Sequence, residues 1–214
     1  MASIDHLVWA APDLDRAVDD LEALTGLRAH AGGAHPGAGT RNAVLGLGAR
    51  SYIEVLAPDP AQVVAATPAA GLAELTAPSL HGFAVSTDRL DRVAAKLEKA
   101  GLPHAGVIPM SRRLPTGRLV RWRLLIPAGH AYGHVVPFFI DWGDSPHPAE
   151  QSEGACRLAC LKITHPEAWS LRPLMERLDV EVEVEAGPAG LIADLETPKG
   201  KVSLASRDHV PGWS

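Results

Sequence analysis

The chain switches between two hydrophobic periods, and the switches mark its elements. Residues 4–10, IDHLVWA, form a short apolar run that predicts a strand, which Pro12-Asp13 turns into a helix. Asp13 suits the N-cap, and Leu14, Val18, Leu21 and Leu24 keep helical spacing until Gly26. Residues 30–40, HAGGAHPGAGT, are rich in glycine and predict a loop, with room for one short strand around Arg28–His30. Residues 41–47 and 51–56 predict two strands joined by a tight Gly48-Ala49-Arg50 turn. Residues 57–79 carry Pro58, Pro60, Pro68 and Pro78 and predict a connector with short helical pieces. The order then recurs: strand 81–86, helix 89–100, an irregular stretch over 103–117, and strands 118–126 and 134–142. A polar connector, 143–154, leads to strand 157–163, helix 167–178 with Pro166 near its first turn, and strands 180–185, 191–195 and 202–205.

The recurrence extends to individual residues. His6 heads an apolar run seven residues before Asp13, and His81 heads another seven residues before Asp88. A Leu-Asp-Arg triplet follows in both places, at 14–16 and 90–92, and both helices end in Gly-Leu, at 26–27 and 101–102. This is an internal repeat of about 75 residues. Residues 1–60, 79–144 and 155–207 read as three units of one α+β domain, each too small to bury both faces and obliged to pack on the others.

Composition narrows the function classes. The chain has 214 residues, 46% of them hydrophobic and 21% charged, with a net charge of −5. That is an ordinary globular balance, with no basic cluster for a nucleic-acid face. No apolar run reaches the roughly 20 residues of a membrane span, and MASIDHLVWA lacks the basic start and long apolar stretch of a leader, so a cytoplasmic protein is expected. The richness in Ala, Gly and Pro suggests a bacterial source. Cys156 and Cys160 lie four residues apart on a predicted strand, roughly 13 Å along one face, too far for a disulfide. A nucleophile elbow, a phosphate-binding Gly-Lys motif and a dinucleotide fingerprint are all missing from the sequence, and GGAHPGAGT has no following helix.

The phrases IDHLVWAAPDLDRAVDDL and HGFAVSTDRLDRVAAKL, with SYIEVLAPDP and PFFIDWGD, resemble the vicinal oxygen chelate superfamily, and within it the glyoxalase-like domain subfamily. The resemblance implies repeated βαβββ units, as in glyoxalases, bleomycin-resistance proteins and extradiol dioxygenases, with a mixed, curved sheet enclosing a cavity. It carries the family's metal ligands onto His6, Glu54 and His81. It places Phe139 where a fourth ligand, a glutamate, is expected, with Asp141 two residues on as a substitute. Two imidazoles and a carboxylate suit Fe, Mn, Ni or Zn with positions open to substrate. In that setting Glu54 is the catalytic candidate, and Asn42, Arg113, Trp122 and Phe139 are candidates for binding substrate. Arg113 is singled out among five arginines because it precedes a Pro-Thr-Gly turn, and a guanidinium suits a carboxylate or phosphate. Trp9 and Trp142 read as packing residues. Most other histidines fall in expected loops, His35 and His134 being the ones placed to touch a ligand.

Two functions follow. One is a metal-dependent lyase, isomerase or dioxygenase acting on a small oxygen-bearing molecule. The other is a metal-free protein that sequesters a small molecule in the manner of bleomycin-resistance proteins. A small-molecule ligand is expected in either case, with a homodimer as one way of pairing the units.

Overall fold

The computed structural model describes residues 3–48, 50–64, 67, 69–114, 117–151 and 155–207. Ala49, Pro115 and Thr116, expected in turns, and residues 65, 66, 68 and 152–154 of the two connectors lie outside the described residues. The first unit comprises β1 (Ser3–Ala10), α1 (Leu14–Thr25), β2 (His30–His35), β3 (Thr40–Gly46) and β4 (Tyr52–Pro58). After the short helix α2 (Ala69–Ala73), the second comprises β5 (Ser79–Ser86), α3 (Leu90–Lys99), β6 (His104–Arg113), β7 (Leu119–Pro127) and β8 (Phe138–Asp141). The third comprises β9 (Arg157–His165), α4 (Ala168–Arg177), β10 (Glu183–Ala186), β11 (Gly190–Thr197) and β12 (Gly200–Ala205).

Local chemistry accounts for the elements that read clearly. The Asp13 carboxylate accepts the Arg16 N–H at 2.9 Å and caps α1, which Gly26 ends at φ 79°. α3 turns Leu90, Val93 and Leu97 to the core, with Asp91 in its first turn and Lys96 and Lys99 in its last, as the helix dipole favours.

The first two units form one eight-stranded sheet in the order β2-β3-β4-β1-β5-β8-β7-β6. In each, the first strand runs parallel to the last, β1 with β4 and β5 with β8, while β1 and β5 pair antiparallel at the centre. The sheet curls until its two edges approach: a Cβ on Gly33 of β2 would stand 3.3 Å from the Arg113 carbonyl of β6. Both walls of the enclosed cavity therefore come from one chain. On the other face, Leu7, Phe83 and Phe139 pack with Leu21 of α1, Leu97 of α3 and Leu171 of α4, all fully buried or nearly so. Each such side chain contributes about 1.5–3 kcal/mol.

Two expectations give way here. Residues 30–35 form a strand, not a loop: β2 pairs with β3, and its glycines let it run close against neighbouring groups. Residues 104–113 form the ten-residue strand β6. Pro109 is tolerated there because β6 is an edge strand, where a missing N–H breaks no ladder.

The third unit shares the element order of the others but not their strand order. β10 runs parallel to β9, and β11 lies antiparallel on its other side, giving a separate sheet β10-β9-β11-β12. Its apolar face joins the common core through Ile163, Leu191 and Leu195. Lys199 Nζ donates to the Ala23 carbonyl at 2.8 Å, and Ser206 Oγ to the Leu80 carbonyl at 2.6 Å. Both cysteines are free, Cys156 buried and Cys160 half-buried.

Candidate functional site

Two bulges shape the cavity. Along the β1–β5 pair, Ile4 faces Val85 and His6 faces Ala84, so Asp5 is an extra residue; Val8 faces Gly82 and Trp9 faces Leu80, so His81 is another. A bulge re-aims a side chain out of strict alternation. That is how Asp5 and His6, adjacent on a strand, come to share one face, with His6 Nδ1 2.8 Å from Asp5 Oδ1. The bulges also reset the repeat. The pairing is symmetric when residues are shifted by 76, which makes Asp5 the counterpart of His81 and His6 the counterpart of Gly82. The two repeated histidines are not equivalent in space.

The cavity, about 320 Å³, has a polar pole on the β1–β4 side and largely apolar walls. Asp5 is fully buried and anchors the pole. It accepts from Trp142 Nε1 at 3.2 Å, sits 3.2 Å from His147 Nε2, and holds His6. The His6 ring stacks on Tyr52 at 4.7 Å and meets Phe138 edge-on at 5.4 Å. Its Nε2 is thereby aimed at Glu54, 3.7 Å from Oε2. On the other side of Glu54, His35 Nε2 lies 3.8 Å from Oε1, and His35 Nδ1 is 2.9 Å from the Thr40 hydroxyl. Asn42 donates its amide N–H to Glu54 and accepts from Arg112 Nη1 at 3.1 Å. Gly32 makes room for that amide: a Cβ there would stand 2.2 Å from Asn42 Oδ1.

The charges favour an ionised Glu54. Burial, the largest influence, pushes its pKa up, but His6, His35, Arg112 and the Asn42 N–H together outweigh burial and hold it below the ordinary glutamate value. Asp5 follows the same logic: burial raises it, yet hydrogen bonds from His147 and His6 bring it down to about 2. Burial, with help from Arg112 and His6, lowers His35 against the raising effect of Glu54. Burial, reinforced by Glu54 and Asp5, pushes the Tyr52 phenol well up.

The expected metal ligands divide. His6 and Glu54 meet, but His81 stacks on His134 at 5.6 Å, and His134 Nε2 lies 3.1 Å from Ser206 Oγ. Among the described residues no three or more His, Cys, Asp or Glu side chains gather where they could hold a metal ion. Besides the two histidines, Glu54 is met by the Asn42 amide donor, with the Arg112 guanidinium on the far side of that amide. The residues present do not fit the three-ligand site.

Two of the expected binding residues are displaced by one position. Phe139 faces the core and is fully buried there, because Phe138 pairs with Ala84 as Glu54 pairs with Val8. Phe138 is therefore the counterpart of Glu54 and lines the cavity. Asp141 shares the face of Phe139 and binds Arg123 and the Gly143 N–H. Arg113 points outward and donates to the Gly117 carbonyl at 2.7 Å; its neighbour Arg112, 4% exposed, enters the cavity. Asn42 reaches the pole through Glu54, and Trp122 lines the cavity, as do His35 and His134. Asp5 and Tyr52 escaped sequence reasoning. The Asp5-His6 dipeptide was the available signal, but a bulge leaves no mark in a hydrophobic pattern.

A paired βαβββ sheet curled around a cavity defines the vicinal oxygen chelate class of fold. The glyoxalase-like domain family model matches residues 4–178, and the chain belongs to that family. No curated protein matches it. A hypothetical protein from Staphylococcus aureus is similar over 100% of this chain and 89% of its own, with a TM-score of 0.67 and 18% identity. A methylmalonyl-CoA epimerase, solved with methylmalonyl-CoA and NH4+, is similar over 69% of this chain and 99% of its own, with a TM-score of 0.51 and 21% identity.

Proposed function

We propose that this chain is an enzyme that binds a small oxygen-bearing molecule in the cavity and moves a proton within it, an isomerase or lyase with Glu54 as general base. The observation that carries this reading is a carboxylate whose surroundings keep it ionised, set in a mostly apolar cavity and faced by a histidine that a buried aspartate orients. A substrate that fills the apolar part of the cavity excludes water, so an abstracted proton stays on Glu54 until it is returned. His6, whose Nδ1–H donates to Asp5, presents Nε2 to whatever lies against Glu54; as an imidazolium it donates there to an oxygen on which charge develops, and as a neutral ring it accepts from a substrate hydroxyl. The 3.7 Å separation of His6 from Glu54 exceeds a direct hydrogen bond. The neighbouring epimerase fold is consistent with such chemistry.

The test is a screen of small carbonyl compounds by NMR for isomerisation or elimination, with wild type beside Glu54→Gln. The reading expects turnover that falls by about 10²–10⁴ in the variant while binding persists. Turnover unchanged in Glu54→Gln would refute it. The apolar walls, Leu124, Ile126, Phe138 and Trp122 among them, favour a second reading, sequestration without chemistry. Tight binding of a compound that neither protein transforms would favour that one.

A further inference from the structure

Glu54 is not the only charged group in the cavity. Arg112 comes in from β6 at 4% exposure, an expensive place for a guanidinium. Its Nη1 donates to Asn42 Oδ1, and its Cζ lies over the Trp122 ring, 5.8 Å from the centroid. Its Nε is buried and has no hydrogen-bond partner. No carboxylate lies within ion-pairing distance of Arg112 among the described residues, although Glu54 is the next group along. Asn42 separates the two, spending its oxygen on the cation and its N–H on the carboxylate. Most buried donors are satisfied, and one that is not calls for an explanation.

We propose that Arg112 is an anion subsite, and that the cavity takes a small monocarboxylate with an apolar body. This rests on the reading of the cavity as a small-molecule site and names the class of molecule. A guanidinium edge matches a carboxylate in two parallel hydrogen bonds, and the contacts with Asn42 and Trp122 hold the cation in place for that pair. Among the described residues lining the cavity, Arg112 is the one Lys or Arg side chain. Glu54 already offsets that single fixed cation, so every further negative charge adds repulsion, and a monoanion adds less of it than a dianion. Met110, Leu124 and Ile126 then supply an apolar wall for the body of the acid. Bound this way, the carboxylate pairs with a cation that one side chain, Asn42, separates from Glu54.

The experiment titrates hexanoate, hexanamide and 1-hexanol by ligand-observed NMR into wild type, Arg112→Gln and Arg112→Lys, with circular dichroism melts to establish folding. The expected result is hexanoate at least ten-fold tighter than hexanamide in wild type. That ratio falls toward one in Arg112→Gln, with hexanamide affinity kept, and lies between in Arg112→Lys. If Arg112→Gln does not fold, the wild-type ratio and Arg112→Lys decide. Equal affinities in wild type, or a ratio unchanged in the folded variants, would overturn the subsite and leave the cavity reading standing. Failure of all three probes to bind would overturn both.

Discussion

Asp5→Asn tests the frame on which the site is built. The native carboxylate faces three groups, His6 Nδ1, His147 Nε2 and Trp142 Nε1, at 2.8, 3.2 and 3.2 Å. Asparagine keeps the shape and one acceptor but brings a donor of its own, so at least one buried group loses its partner. An orphaned buried group costs about 1–3 kcal/mol, and more where the lost partner was charged. The loss should also depend on pH. The Asp5 pKa falls from 3.8 when unfolded to about 2 when folded. A depressed carboxylate stabilises the fold above its unfolded pKa, and that contribution is lost as pH falls through the folded value. At 1.36 kcal/mol per unit this is about 2 kcal/mol at neutral pH, with roughly half gone by pH 3. Urea unfolding from pH 7 to pH 3 should therefore show wild type more stable than Asp5→Asn, with the gap narrowing by about 1 kcal/mol as the acid end is reached. A gap constant across that range would refute the buried-carboxylate account of Asp5.

Other consequences can be measured separately. Gly32→Ala drives a methyl into the Asn42 amide, so it should weaken hexanoate binding several-fold and cost about 1–3 kcal/mol of stability; unchanged binding and stability would contradict the bridging role given to Asn42. Phe83→Ala, at a fully buried core position, should cost about 3–5 kcal/mol in chemical denaturation, and a loss below 1 kcal/mol would contradict the packing described. Mass spectrometry of the purified protein should find far less than one bound metal per chain, and chelation should leave ligand binding intact. Near-stoichiometric metal that disappears in a His6→Ala/His81→Ala double variant would contradict the arrangement of those donors.

The sequence was legible where side chains repeat a simple period. The apolar strand around Leu7, the helix capped by Asp13 and the second helix before Gly101 all fall where the pattern puts them. It failed where an element's residues are poor formers held by tertiary contact. His30–His35 is a strand because β3 pairs with it and Gly32 leaves room for Asn42, and β6 is a strand despite Gly106 and Pro109. With β6 read as irregular, only the turn that follows separated Arg113 from Arg112, and it pointed to the wrong one, whereas exposure alternates along the strand and buries Arg112. The choice of Phe139 over Phe138 has the same origin, a one-residue slip that turns a strand over. The equivalence of His6 and His81 failed because each unit carries its bulge at a different residue type, Asp5 in one and His81 in the other. The third unit shows that element order does not determine strand order: β9 takes β10 as its parallel neighbour, where β1 takes the last strand of its unit.

The central claim is that Glu54 is ionised and available as a base inside the cavity. It is tested most directly by following the 13C-labelled glutamate carboxyls through a pH titration, with the Glu54 signal assigned from its loss in Glu54→Gln. The account predicts a midpoint below the ordinary glutamate value of 4.5, because His6, His35, Arg112 and Asn42 together overcome burial. A midpoint well above that value would mean that burial wins, leaving a neutral acid where the mechanism needs a base.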